Sequence, residues 1–102
     1  MSTDDAGLRV DVWLWRARMF KTRSLATAVV NKGQVRLTSN GVTRRLGKAS
    51  ALVRAGDTLT LPWNKQILHL RVVALGERRG PASEARELYE IVDDDTTSLR
   101  NS

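Results

Sequence analysis

From Val10 onward the apolar positions Val10, Trp13, Leu14 and Ala17 recur at i, i+3, i+4 and i+7, the spacing of one helix face. Arg9 and Arg16, seven apart, fall on another face, so one side is expected to pack and the other to stay charged. A second helix is predicted from Thr22, a residue type that caps helix N-termini, with Leu25, Ala28 and Val29 on its inner face, ending at Asn31 or Lys32. Gly33 supplies the stop, because glycine enters the left-handed conformation that closes helices. The connection around Phe20 and Lys21 is only a few residues long, which folds the helices back into a hairpin.

Beyond Gly33 the period shortens to two. Gln34-Val35-Arg36-Leu37 alternates polar with apolar, Ser39-Asn40-Gly41 signals a turn, and Gly56-Asp57 precedes the alternating run Thr58-Leu59-Thr60-Leu61, closed by Pro62. After a loop at Trp63-Asn64-Lys65-Gln66, the longest strand is predicted from Ile67 to Leu75. It places Leu68, Leu70, Val72 and Ala74 on one face and His69, Arg71 and Val73 on the other. Gly80-Pro81 then breaks the chain before a short helix from about Glu84 to Tyr89, with Ser83 as its cap and Glu84 near its positive N-terminus. The pattern predicts an α+β fold: an N-terminal helical hairpin packed on a small, mostly antiparallel sheet, followed by a short C-terminal helix. Residues 1–7 and 93–102 lack periodicity and are expected to be flexible, which leaves 8–92 as a single domain.

Composition narrows the class. A chain of 102 residues, 41% hydrophobic, buries one modest core. It contains no Cys, so disulfides and thiolate zinc sites are excluded, and stability rests on packing. The polar, acidic start Met1-Ser2-Thr3-Asp4-Asp5 lacks the basic and apolar regions of a secretory signal, and no run approaches about 18 apolar residues. A soluble, cytoplasmic protein that does not enter membranes is therefore expected.

Charge changes the picture most. Between Arg9 and Arg54 stand eleven Lys or Arg residues and one acid, Asp11. Met1 to Arg54 carries +8 and the remainder −2, for a net +6. Such asymmetry points to a polyanion partner, with nucleic acid as the expected class. Lys21-Thr22-Arg23-Ser24 sets two cations and two hydroxyls at a predicted helix start, where unpaired N–H groups and the helix dipole favour phosphate. The alternative is a simple cap with solvated cations. A solvated basic face usually carries acids for i,i+4 pairing, and the scarcity of acids here favours a binding surface.

Asp11 has two readings, orienting an Arg by charge pairing or favouring the first helical turn. Trp13 belongs on the core face, Trp15 lies nearly opposite with its role open, and Trp63 fits either loop packing or an exposed contact. Trp13, Trp15 and Phe20 are also residue types that stack on unpaired bases. His69 is the only histidine, with no catalytic partner in the pattern and no second metal ligand type beside it. No phosphate-binding glycine loop of the nucleotide-binding kinds is present. No enzyme activity, cofactor or metal is expected.

The ordered series Arg9-Val10-Asp11-Val12-Trp13-Leu14, Lys21-Thr22-Arg23-Ser24-Leu25-Ala26, Gly33-Gln34-Val35, Asn40-Gly41, Lys48-Ala49-Ser50 and Gly56-Asp57 resembles the alpha-L RNA-binding motif. That module is named after ribosomal small-subunit protein S-four, and the likeness runs from about Leu8 to Leu61. Trp13-Leu14-Trp15-Arg16-Ala17-Arg18, together with the stretch from Glu77 to Tyr89, is similar to the fifteen-kilodalton ribosome-associated heat-shock proteins. The resemblance implies two helices and an adjoining loop that grip large-subunit ribosomal RNA. It further implies recognition of stalled large subunits carrying peptidyl-tRNA, for recycling or quality control. Separately from the resemblance, a monomer is expected when the protein is free.

By matching position, the implied RNA contacts are Arg9, Arg16, Lys21, Thr22, Arg23, Ser24 and Lys48, while Gly33, Gly41 and Gly56 shape turns. Charge pattern alone adds Arg36, Arg44 and Arg45. Nonspecific binding of DNA is an alternative, since neutralising phosphates does not require a particular sequence. A third reading is an accessory RNA-binding domain related to those of RNA-modifying enzymes. Val12 stands where many relatives have Lys, and Leu37 to Lys48 is longer than the usual turn segment. Asp93-Asp94-Asp95 follows where better-known members carry a long basic tail, so the resemblance does not carry over tail-dependent contacts.

Overall fold

A computed structural model describes residues 7–92. Leu8–Arg9 forms a short strand, β1, that runs directly into helix α1, Val10–Arg16. Val10, Trp13, Leu14 and Ala17 are all buried, as their spacing requires. No side chain caps α1. Its first donors are met by main chain instead, the Val10 N–H reaching the Ala51 carbonyl at 2.8 Å and the Asp11 N–H reaching Ala49 at 3.4 Å.

Residues 17–22 reverse the chain. Arg18 takes a left-handed φ of 61°, and the Met19 N–H returns to the Leu14 carbonyl at 3.0 Å. Helix α2, Arg23–Asn31, opens with Thr22, whose hydroxyl accepts the Leu25 N–H at 3.1 Å. The predicted inner face of this helix is corrected. Ala26 and Val30 are buried, Val29 is half-buried, Ala28 is exposed and Leu25 is 49% exposed. Both sets fit a helical period, so periodicity leaves the phase open; the Thr27 hydroxyl, bonded to Asp11 at 2.8 Å, turns the Ala26 side inward.

Gly33 ends α2 with a φ of +76°. A β-carbon there would sit 3.3 Å from Arg45 Cδ. Gly33→Ala should therefore lose about 1 kcal/mol or slightly more in urea unfolding, because an L side chain resists left-handed φ. Stability equal to the parent would contradict this strain.

The main sheet is antiparallel throughout, in the order β3-β2-β5-β6-β7, built from β2 (Arg36–Ser39), β3 (Val42–Arg45), β5 (Thr58–Trp63), β6 (Gln66–Val72) and β7 (Tyr89–Ile91). A second, two-stranded ladder pairs β1 with β4 (Leu52–Val53). Leu37, Leu59 and Leu70 stand side by side across three strands and are buried in one cluster with Trp13, Leu14 and Val30 of the helices. Helices and sheet thus share a single core.

Three sequence expectations change here. Trp63 and Pro62 belong to β5 and not to a loop boundary, and the turn narrows to Asn64-Lys65, with φ of 49° and 66°. Pro62 lies beyond the last β2 pairing, at Thr60, so β5 has a single neighbour there, the edge situation that accommodates a missing N–H. The long strand stops at Val72, because the N–H groups of Val73 and Ala74 turn to the Leu88 carbonyl at 2.8 and 3.2 Å. The final helix shrinks to one turn, α3 (Ala82–Ala85), with Pro81 and not Ser83 in the N-cap position. A 3₁₀ turn at Arg86–Leu88 follows and drops Leu88 into the core, after which Tyr89 opens β7. Of the expected tails, residues 1–6 and 93–102 lie outside the described residues.

Candidate nucleic-acid interface

Asp11 sits in the second position of α1 with 1% of its side chain exposed. Burying a carboxylate is unfavourable unless it is paired, and here three side chains converge on it. Arg9 grips it through both oxygens, Nε to Oδ1 at 3.1 Å and Nη2 to Oδ2 at 3.0 Å. Thr27 donates to Oδ2 at 2.8 Å, and Arg23 Nε lies 3.7 Å from the same oxygen. Burial by itself pushes this carboxyl up; the hydrogen bonds from Arg9 and Thr27, with the charges of Arg9 and Arg23, outweigh it and hold the group below the usual aspartate value. Asp11 thus stays ionised and fixes two guanidiniums.

Those guanidiniums remain accessible, Arg9 at 45% and Arg23 at 48% exposure. One belongs to the residue before α1 and the other to the first turn of α2, so a single buried anion aligns cations from both helices. The orienting reading of Asp11 is the one the geometry supports. Lys21, Thr22 and Ser24 are exposed beside Arg23 at the start of α2. Lys48 is exposed in the loop that receives the α1 N-terminus, and that loop is also tied to α2, since Asn31 Oδ1 accepts the Ala49 N–H at 2.9 Å. Arg44, Gly47, Lys48, Ser50, Ala51 and Leu52 line a shallow groove there.

Arg36 and Arg45 are exposed and face each other directly across the β2–β3 pair, whereas Arg44 is paired with buried Leu37. Alternation along a strand therefore separates Arg44 from the other two. Like charges directly opposite destabilise a sheet, a repulsion that a bound anion would relieve.

Arg16 behaves differently from its sequence neighbours. It is half-buried, and its Nη1 donates to the Gly76 carbonyl at 2.6 Å, which ties α1 to the segment after β6. Two neighbours reinforce that tie: Trp13 Nε1 donates to the Ala74 carbonyl at 2.9 Å, and Arg18 Nε to Gly80 at 2.6 Å. From the other side, Arg79 Nε reaches the Trp15 carbonyl at 3.1 Å, and its guanidinium carbon lies 5.7 Å from the Trp15 ring centre. Trp15 is therefore a platform for Arg79. Trp63 meets Phe20 edge to face, with ring centres 6.1 Å apart. Thr60 Oγ1 and His69 Nδ1 are 3.0 Å apart on neighbouring strands.

Sequence reasoning missed Thr27 and Arg79. Thr27 had a faint signal, lying four residues after Arg23 and so on the same helix face. Arg79 had none in the charge pattern, because it lies in the net acidic part of the chain and reaches α1 only through folding. Among the described residues no three His, Asp or Glu side chains gather as a metal site, and no helix is long and apolar enough to cross a membrane.

Two helix starts and a loop thus present cations around one buried carboxylate, and the sequence profile of the S4 domain matches residues 8–59, the stretch that carries them. The chain belongs to the S4 domain family. Over 83 residues it is 42% identical to heat shock protein 15 of Escherichia coli (strain K12), covering 81% of this chain and 59% of that protein. It is 31% identical over 90 residues to the RQC P-site tRNA stabilizing factor of Listeria monocytogenes, covering 88% of this chain and 91% of the relative. A solved structure of Vibrio cholerae heat shock protein 15, described as trimeric, matches with a TM-score of 0.76 at 34% identity, over 94% of this chain and 93% of that one. The resemblance to the fifteen-kilodalton heat-shock proteins therefore holds beyond the S4 stretch and reaches the C-terminal strands. The chain spans about three fifths of the length of the curated heat shock protein 15 relatives.

Proposed function

We propose that this protein binds ribosomal RNA of the large subunit and recognises stalled subunits carrying peptidyl-tRNA, for recycling or quality control. It acts by binding, without turnover. The observation that carries the reading is the Asp11 centre, which holds Arg9 and Arg23 accessible from two helices beside Lys21, Thr22, Ser24 and Lys48. Guanidiniums fixed in this way lose less freedom when they meet phosphate, so the surface is prepared for a polyanion. The similarity to a P-site tRNA stabilizing factor supports a subunit that holds tRNA as the target.

Gradient co-sedimentation with free large subunits, small subunits and peptidyl-tRNA-bearing large subunits tests the proposal over a salt series. Preference for the peptidyl-tRNA-bearing particles is the expected result. Equal binding to all particles, abolished by duplex DNA, would reduce the function to general nucleic-acid binding. In the same assay Arg23→Ala should weaken binding and flatten the log–log salt slope by about 0.7 to 0.9, the value for one lost phosphate contact. A folded variant that binds unchanged would remove Arg23 from the interface.

A further inference from the structure

The cations around the α1–α2 connection differ from those at Asp11 in how they are held. Arg16, Arg18 and Arg79 donate to main-chain carbonyls, of Gly76, Gly80 and Trp15 respectively. A carbonyl satisfies a donor without cancelling its charge, so these guanidiniums keep their full positive field. Arg79 Nη2 also reaches the Lys21 carbonyl, at 3.5 Å, and so meets the backbone of a fourth basic residue, whose side chain is exposed. Immediately before Lys21, Phe20 makes its edge-to-face contact with Trp63, and both rings are half-buried, leaving aromatic surface at the edge of the cationic cluster. Trp63 and Arg79 both lie outside the stretch 8–59 matched by the S4 domain.

Packing accounts for part of this arrangement. Arg79 closes the C-terminal end of α1, where free carbonyls carry partial negative charge, and one such cation suffices for that. Packing accounts for Arg16 as well, since it ties α1 to Gly76. It does not account for Arg18, Lys21 and Arg79 together along one connection with no carboxylate among the hydrogen-bond partners described for them, the neighbouring Glu84 being taken by Arg78. Phe20 and Trp63 pack against the core and against each other, and each keeps part of its surface open. Phosphate and an unstacked base are the two chemistries that such a surface satisfies together.

We infer that the α1–α2 connection and the 76–80 segment form a second RNA contact, which takes an unpaired nucleotide flanking the element gripped at Asp11. Arg18, Lys21 and Arg79 meet its phosphates, and the Phe20–Trp63 pair receives its base. This rests on the RNA-binding reading above and extends it to single-stranded nucleotides.

Two short RNA probes test it, a hairpin with an unpaired loop and a fully paired duplex of equal length, alongside large subunits. Wild type should prefer the looped hairpin. Arg79→Gln should flatten the salt slope on it by about 0.7, and Arg79→Lys should restore the slope because the charge returns. Trp63→Leu should weaken hairpin binding about tenfold at unchanged slope, with Trp63→Phe near wild type, since stacking is not ionic. Circular dichroism melts confirm that each variant is folded, and the Lys and Phe variants carry the comparison if the Gln and Leu variants do not fold.

Equal affinity of wild type for hairpin and duplex would overturn the second contact, as would unchanged hairpin binding in folded Arg79→Gln and Trp63→Leu. If the conservative variants alone fold, Arg79→Lys or Trp63→Phe binding far below wild type would also overturn it. Hairpin binding that behaves as expected, with no binding to large subunits, would instead remove the ribosomal reading and leave this contact standing. Failure of wild type to bind any RNA would overturn both.

Discussion

Trp13→Ala should lower the unfolding free energy by about 3 to 5 kcal/mol, the cost of removing a large aromatic side chain from a packed core. Trp13 has no exposed surface, and its Nε1 anchors the Ala74 carbonyl at 2.9 Å, sixty-one residues along the chain. The loss therefore combines a cavity under α1 with an orphaned carbonyl on the segment that follows β6. For a domain of this size the result lies near the limit of stability. Urea unfolding followed by circular dichroism measures it. Trp13→Phe keeps most of the volume and loses the N–H, so a penalty closer to 1 kcal/mol separates packing from the hydrogen bond. A Trp13→Ala variant within 1 kcal/mol of wild type would show that the helices do not depend on this contact.

The second large effect is expected at Asp11. Asp11→Asn keeps the shape but removes the charge that holds Arg9 and Arg23, and it should cost about 2 kcal/mol, in the range for hydrogen bonds to charged groups. RNA affinity should fall as well, although the substitution makes the protein more positive. A simple electrostatic surface would bind more tightly with the acid gone, so the direction of the change distinguishes positioning from bulk charge.

Asp11 also sets a pH dependence. Its folded value is lowered, so the unfolded chain binds its proton more readily. The stability it contributes is complete above the ordinary value of 3.8 and is lost as pH falls through the lower folded value. Wild type and Asp11→Asn should consequently differ by a constant amount from pH 5 to 8 and converge in stronger acid. A difference that instead changes across neutral pH would assign the effect to another group.

Much of the site was legible because it is carried by local chemistry. Thr22 as a cap, Gly33 as a stop, and Lys21 and Arg23 at a helix start follow from residue type and spacing. The inward face of α1 was legible too, since Val10, Trp13, Leu14 and Ala17 admit one helical phase. The face of α2 was not, because Leu25-Ala28-Val29 and Ala26-Val30 are equally periodic and Thr27's bond to Asp11 decides between them. Strand β3 left no trace in the alternation, as Val42 to Arg45 are all exposed. Helix propensity after Pro81 was overruled by Leu88, whose burial ends the helix and turns Tyr89 into a strand.

By itself the sequence determined the class of this protein. The period of its apolar residues specifies two helices and an antiparallel sheet, and the confinement of positive charge to one part of the chain is what the proposal of a polyanion partner starts from. Both are properties of neighbours in the chain, or of simple sums over it. Only the tertiary structure decided which cations serve the surface and which the fold. Arg9 and Arg16 look alike along α1, yet one is aligned on a buried carboxylate at the surface and the other is drawn to the Gly76 carbonyl. That division depends on which distant carbonyls and carboxylates come within about 3 Å, a range that one-dimensional spacing does not encode.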